Sequence, residues 1–183
     1  EKTAKGEFGK DDLISPVPSS IHIKPYIEGK DIDSYVLKEY RYLEWGTTRV
    51  PSKLRRKTFE GLYEVPKLMR GSTTGGIFDD QKYVCNHSII LFVRFFDLRH
   101  VNNKSISTSI KKHNSLTRNV LEQISSKFDL KYLLSVINSR FAFTFLNSVR
   151  RHRLENYFYP DDFRKLPIAA ISMSEQKEFV KIV

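Results

Sequence analysis

Three features of this 183-residue chain predict a mixed α/β (α+β) fold. Short apolar runs between residues 21 and 96 are separated by Gly, Pro and Asp and read as strands and turns. From Asp129 to Val149, apolar residues fall at three- and four-residue steps and read as a helix. Between these regions, residues 98–121 contain no Asp or Glu and read as a long basic loop.

The elements follow in order. Residues 1–19 are polar, with Gly6, Gly9, Pro16 and Pro18, and are expected to be a linker or tail from a preceding region. Lys24 to Ile32 reads as an extended piece, a glycine turn and a new start. Val36–Trp45 is rich in Tyr and Leu with rough alternation, which suits a strand. Pro51 fits the first turn of a short basic helix through Lys57. Val65–Arg70 is extended, and Gly71 to Gly76 is a loop. Ile77-Phe78 and Lys82–Cys85 are short strands about a turn at Asp79-Asp80. Ser88–Phe96 is apolar enough to be a central strand buried on both faces. Asp129 is placed to cap the main helix, and Arg150–Arg153 brings positive charge to its end. Ser172 and Glu175 have capping-box spacing and open a last helix. The expected organisation is therefore a tail over 1–19, a domain over 20–171, and the start of a truncated helix over 172–183. A start at Glu1 and a stop inside a helical pattern read as a fragment of a longer protein.

The balance of 31 Lys and Arg against 21 Asp and Glu gives a net charge of +10. A polyanionic partner is the functional expectation, and a solvated basic surface the plain alternative. The single cysteine, Cys85, cannot form an internal disulfide and reads as a buried small hydrophobe. No membrane-length apolar stretch and no signal peptide are visible, so the expected location is the cytoplasm.

Catalytic chemistry is missing. There is no glycine-rich cofactor loop and no Asn/Asp-Pro-Pro-Tyr/Phe motif of the kind adenine methylation uses. Gly71 to Gly76 lacks the Lys-Ser/Thr of a P-loop. One cysteine and five scattered histidines do not make a zinc site. No Gly-x-Ser-x-Gly elbow occurs. Pro160-Asp161 followed by Glu175-Gln176-Lys177 matches the loose PD…(D/E)xK pattern of metal-dependent nucleases. That chemistry needs the last two residues on one strand face, whereas Glu175 and Lys177 fall in a helical first turn, where positions two apart diverge.

Three basic clusters remain: Arg49–Lys57, the acid-free stretch from Leu98 to Leu121, and Arg150–Arg153. Cations on phosphates give affinity, while Arg, Lys, Asn, Gln, Ser and Thr on base edges give specificity. The first two clusters offer both kinds of group. The candidate DNA contacts are Arg49, Lys53, Arg55, Arg56 and Lys57, then Arg70 with Ser72, Thr73 and Thr74, then Lys104, Lys111, Lys112, His113 and Arg118. Arg150–Arg153 also suits a helix C-terminus, and Arg94 reads as a buried ion-pair member.

Four stretches in order resemble the TaqI-like C-terminal specificity domain, the target-recognition part of adenine methyltransferases and fused type IIG restriction enzymes. They are Lys24 to Tyr35, Val65 to Arg70, Asp129 to Arg140, and Leu166-Pro167-Ile168 with Ile171 to Gln176. The resemblance covers about residues 20–183. It implies a distorted, mostly antiparallel sheet with flanking helices, and a non-catalytic bacterial domain that holds double-stranded DNA. The partner would be an N-terminal methyltransferase domain of the same parent chain. S-adenosylmethionine would bind that parent domain, with no cofactor or metal here. Base-reading residues vary within the family, so the contacts above rest on charge and loop position alone. The alternatives are a protein-interaction or scaffold domain of a restriction-modification complex, then a nuclease fragment. RNA binding ranks last, for want of an aromatic stacking motif.

Overall fold

In the computed structural model, which describes residues 9, 11–50, 61–71, 73–113, 116–150 and 157–183, strands fill the first half and helices the second. The organisation is mixed α/β, as the sequence predicts. β1 (Ile14–Ser15), β2 (His22–Ile27), β5 (Arg41–Glu44) and β8 (Val84–Cys85) form one sheet in the order β1-β5-β2-β8. Its pairings are antiparallel except β2 with β8. β3 (Ile32–Asp33) and β4 (Val36–Leu37) make a small hairpin. β6 (Lys67–Gly71), β7 (Gly76–Asp79) and β9 (Ile89–Phe92) form an antiparallel sheet with β6 in the middle.

The central position of β6 follows from its side chains. All five of its residues are buried. Strand geometry sends successive side chains to opposite faces. Leu68 accordingly joins a core with the helices, while Met69 joins Ile27, Ile32, Ile77 and Ile89 on the other side. Lys67 would be costly there without a counter-charge. Asp79 is its register partner on β7, and the ammonium sits 2.5 Å from that carboxylate with both side chains fully buried.

The helices are α1 (Lys104–Lys111), α2 (Arg118–Ser126), α3 (Leu130–Ile137), α4 (Arg140–Val149), α5 (Pro160–Phe163) and α6 (Met173–Val180). Leu130, Leu134 and Ile137 of α3 pack with Leu146 of α4, Phe163 of α5 and Leu68 of β6. Burial of each such side chain contributes about 1.5–3 kcal/mol. The expected capping box is present on α6, where Ser172 and Glu175 bond reciprocally.

Four expectations are corrected. The acid-free stretch is not one long loop: Lys104–Lys111 within it is a helix capped by Asn103, and Arg118 opens another that runs on to Ser126 and is capped by Thr117, each cap accepting a backbone N–H. Ser88–Phe96 is not a central strand. Only Ile89–Phe92 pairs, at the edge among the described residues, and a 3-10 turn follows at Phe95–Leu98. Arg94 fixes that bend by pairing with Asp97 and donating to the Phe128 carbonyl. Val36–Trp45 is two strands, parted by exposed Lys38, Glu39 and Tyr40. The long helix over 129–149 is two helices, ended at Asn138 and restarted by Ser139, whose side chain accepts from the Ala142 N–H. The tail is also partly built in. Leu13 is buried, and Ile14 and Ser15 pair with Leu43 and Tyr42. The helix expected over 51–57 lies outside the described residues.

Candidate nucleic-acid interface

The acid-free stretch is framed by one arginine. Arg118 opens α2 and donates to Glu122 on its own helix, to the Asn102 side chain, and to the carbonyls of Leu98 and Val101. It thereby fixes the start of the segment that leads into α1. An arginine satisfied on four sides has little left for a phosphate, so Arg118 is a clamp behind the surface rather than a member of it.

The helix it positions has two unlike faces. Ile106 is the buried residue of α1. At the far end, the His113 ring stands edge-on to Phe95 with centroids 5.7 Å apart. Lys104, Ser107, Thr108, Lys111 and Lys112 are all exposed. Their spacing of i, i+3, i+4, i+7 and i+8 is one face of a helix. None of the three lysines has a carboxylate partner among the described residues. The hydroxyls are half-engaged: Ser107 Oγ donates to the Asn103 carbonyl at 3.0 Å and Thr108 Oγ1 to the Lys104 carbonyl at 2.8 Å. A hydroxyl that donates inward still offers lone pairs outward. The sequence reading names the lysines but not Ser107 and Thr108. Their signal is the three- and four-residue spacing from Lys104, opposite Ile106 and Ile110.

The other candidates disperse. Arg49 is tied to the buried carboxylate of Glu44 and reaches the Asp12 carbonyl, with its side chain 39% exposed. That bond holds the Glu44 carboxyl below its usual range, against the opposing effect of burial. Arg70 is withdrawn from solvent, at 4% exposure. Its guanidinium lies over the rings of Phe158 and Phe163, 5.3 and 4.9 Å from their centroids. Burial brings its pKa down to about 10, which leaves it charged at neutral pH. Arg70 thus braces β6 against α5 and does not face a partner. Thr74 donates to the Gly29 carbonyl at 3.1 Å, closing the Gly71–Gly76 loop onto the chain, while Thr73 is exposed. Lys53, Arg55, Arg56, Lys57 and Ser72 lie outside the described residues, as do Arg151 to Arg153.

The nuclease pattern does not assemble among the described residues. Asp161 pairs with Arg164 in the same turn, and Glu175 serves as the cap of α6. No group of three or more His, Cys, Asp or Glu among the described residues is arranged to hold a metal. No helix among them is long and apolar enough to cross a membrane. Cys85 is buried, and burial pushes its thiol up to about 11. Neither a protein-family model nor a curated relative matches the chain.

Proposed function

We propose that this chain is a DNA target-recognition module. It holds duplex DNA for an adenine-specific, S-adenosylmethionine-dependent methyltransferase domain of its parent protein, and does no chemistry itself. One observation carries the DNA reading most of the way. The acid-free stretch folds so that Lys104, Lys111 and Lys112 leave the protein on one exposed face, with no carboxylate partner among the described residues. Such a surface suits a polyanion and repels acidic proteins. The methyltransferase partnership rests on the resemblance, whose stretches supply scaffold here: Met69 and Arg70 in the core and Asn138 at the α3–α4 break.

The test is binding of the chain to duplex DNA over a salt series. The slope of log K against log salt should be about 0.9 per phosphate held. Absence of binding at low salt sinks the proposal, and a preference for single-stranded RNA over duplex redirects it. A protein-docking reading has one observation in its favour, an open apolar cleft of about 380 Å³ between the end of β9 and helices α2 and α3. Leu91, Val93, Phe95, Ile124, Phe128 and Leu133 line it. Salt-insensitive binding to protein and none to DNA would favour that reading.

A further inference from the structure

We infer that α1 is the base-reading element, and that Ser107 and Thr108 accept from an exocyclic amino group, adenine N6 or cytosine N4, carried by one strand in the major groove, so that they choose which strand of each pair carries the amino group. The inference rests on the DNA reading above and adds which residues read and what they accept. Three independent features converge on it.

The first is size. An eight-residue helix is about 12 Å long, and Lys104 and Lys111 are about 10 Å apart along its axis, close to the width of the major groove. Lysines at the two ends of such a helix reach the phosphates of opposite groove walls, while the residues between them face the base edges.

The second is support. Ile106 is buried at the start of α1, and just beyond its end His113 packs against Phe95. Asn103 caps it and Arg118 fixes the chain leading to it. Among the described residues, Lys104, Ser107, Thr108, Lys111 and Lys112 on the outer face are exposed.

The third is hydrogen-bond direction. Both hydroxyl protons are directed at backbone carbonyls one turn back, those of Asn103 and Lys104. While those bonds are kept, each side chain presents an acceptor outward. In the major groove the complementary donors are the N6 amino of adenine and the N4 amino of cytosine. To bond the keto oxygen of guanine or thymine, a hydroxyl would have to give up its backbone carbonyl, so those bases are disfavoured on the strand it faces. The lysines have the opposite character and can only donate, so at the phosphates they hold without choosing.

Site selection by the whole chain from a randomised duplex pool tests this. The wild-type chain should enrich a short motif with adenine or cytosine at two nearby positions on one strand. Thr108→Val keeps shape and removes the acceptor, and Ser107→Ala does the same at the neighbouring position. Each should lower discrimination at its own position about tenfold, the scale of one base-edge contact. Lys104→Ala should instead weaken all sequences alike and reduce the salt slope by about one. Replacing the selected adenine by purine, which lacks the 6-amino group, should cost the wild type what Thr108→Val costs on the natural site. A motif that survives both hydroxyl substitutions unchanged overturns the assignment of α1 while leaving the DNA reading intact. Duplex binding with no enriched motif, or no duplex binding, overturns the reading beneath it as well. All three positions are exposed, and unchanged thermal midpoints will show that the variants are folded.

Discussion

At the scale of single residues, the basic side chains divide into those that brace and those that face outward, and composition does not tell them apart. Arg118 and Arg70 brace, one with carbonyls and a carboxylate, the other between two phenylalanine rings. Arg49 braces as well, and its pairing gives a pH signature. Glu44 is buried, and the Arg49 hydrogen bonds hold its carboxyl below the value it has in the unfolded chain. A depressed carboxyl contributes stability that is fully present above its unfolded pKa and is lost as pH falls through the folded one. Arg49→Met removes the cause of the depression and leaves burial, which acts in the opposite direction. The variant should therefore be less stable than the wild type at pH 7, and the difference should shrink as pH falls through the carboxylate range, where the wild type loses this contribution and the variant has none to lose. Urea midpoints between pH 7 and 3 measure this directly, and parallel curves would show that the pair contributes nothing.

At the scale of elements, the sequence is legible where a local rule decides and opaque where a distant partner does. The α6 capping box and the extended run at β6 are local and readable, whereas the turn expected at Asp79-Asp80 is not there: Asp79 ends β7, and β8 joins the other sheet. The helix break at Asn138 is not readable, because the apolar spacing from Leu130 to Leu146 runs straight through it. The break has a distant reason. The Asn138 carboxamide accepts from the Gly76 N–H at 2.8 Å and donates to the Gly76 carbonyl at 2.9 Å, sixty-two residues away. Gly76 also lets α3 close in: a Cβ there would lie 3.2 Å from Leu134 Cδ1. The restart at Ser139 re-phases the second helix, and Phe141, which the continuous pattern puts inside, ends up exposed. For the same reason the acid-free stretch looked like a loop: its apolar face is only Ile106 and Ile110 wide. Replacing Asn138 with Ala would favour helix locally and still destabilise the fold, because it leaves the Gly76 N–H without its acceptor. The expected cost is about 1–3 kcal/mol, read from the shift in urea midpoint. A neutral or stabilising result would mean that the break is set by Ser139 alone.

At the scale of the whole molecule, the backbones of the two larger sheets come close at Gly29. Gly29 sits in the turn after β2, its N–H donating to Ser88 Oγ beside β9 and its carbonyl accepting from Thr74 beside β6. The backbones come so close that a Cβ on Gly29 would lie 2.9 Å from the Ser88 carbonyl and 3.0 Å from its hydroxyl. The contact, not the backbone angle, is what demands glycine here. Around the joint, Ile27 and Ile32 from one side pack with Met69, Ile77 and Ile89 from the other. This shared core couples the strands that carry the tail to the sheet that carries the helices. If the joint is what makes the molecule unfold as a unit, Gly29→Ala should do more than lower stability by about 1–3 kcal/mol, the usual cost of forcing an extra carbon into a packed site. It should also uncouple the two halves. Trp45 is the only tryptophan and follows directly on β5, so its fluorescence reports the first sheet alone. Far-ultraviolet circular dichroism at the helix band reports the other half. In the wild type the two probes should share one urea transition, as for a single cooperative domain. In Gly29→Ala the fluorescence midpoint should fall further than the dichroism midpoint. Coincident midpoints in the variant would place the coupling in the apolar core around Met69 rather than at the Gly29–Ser88 contact.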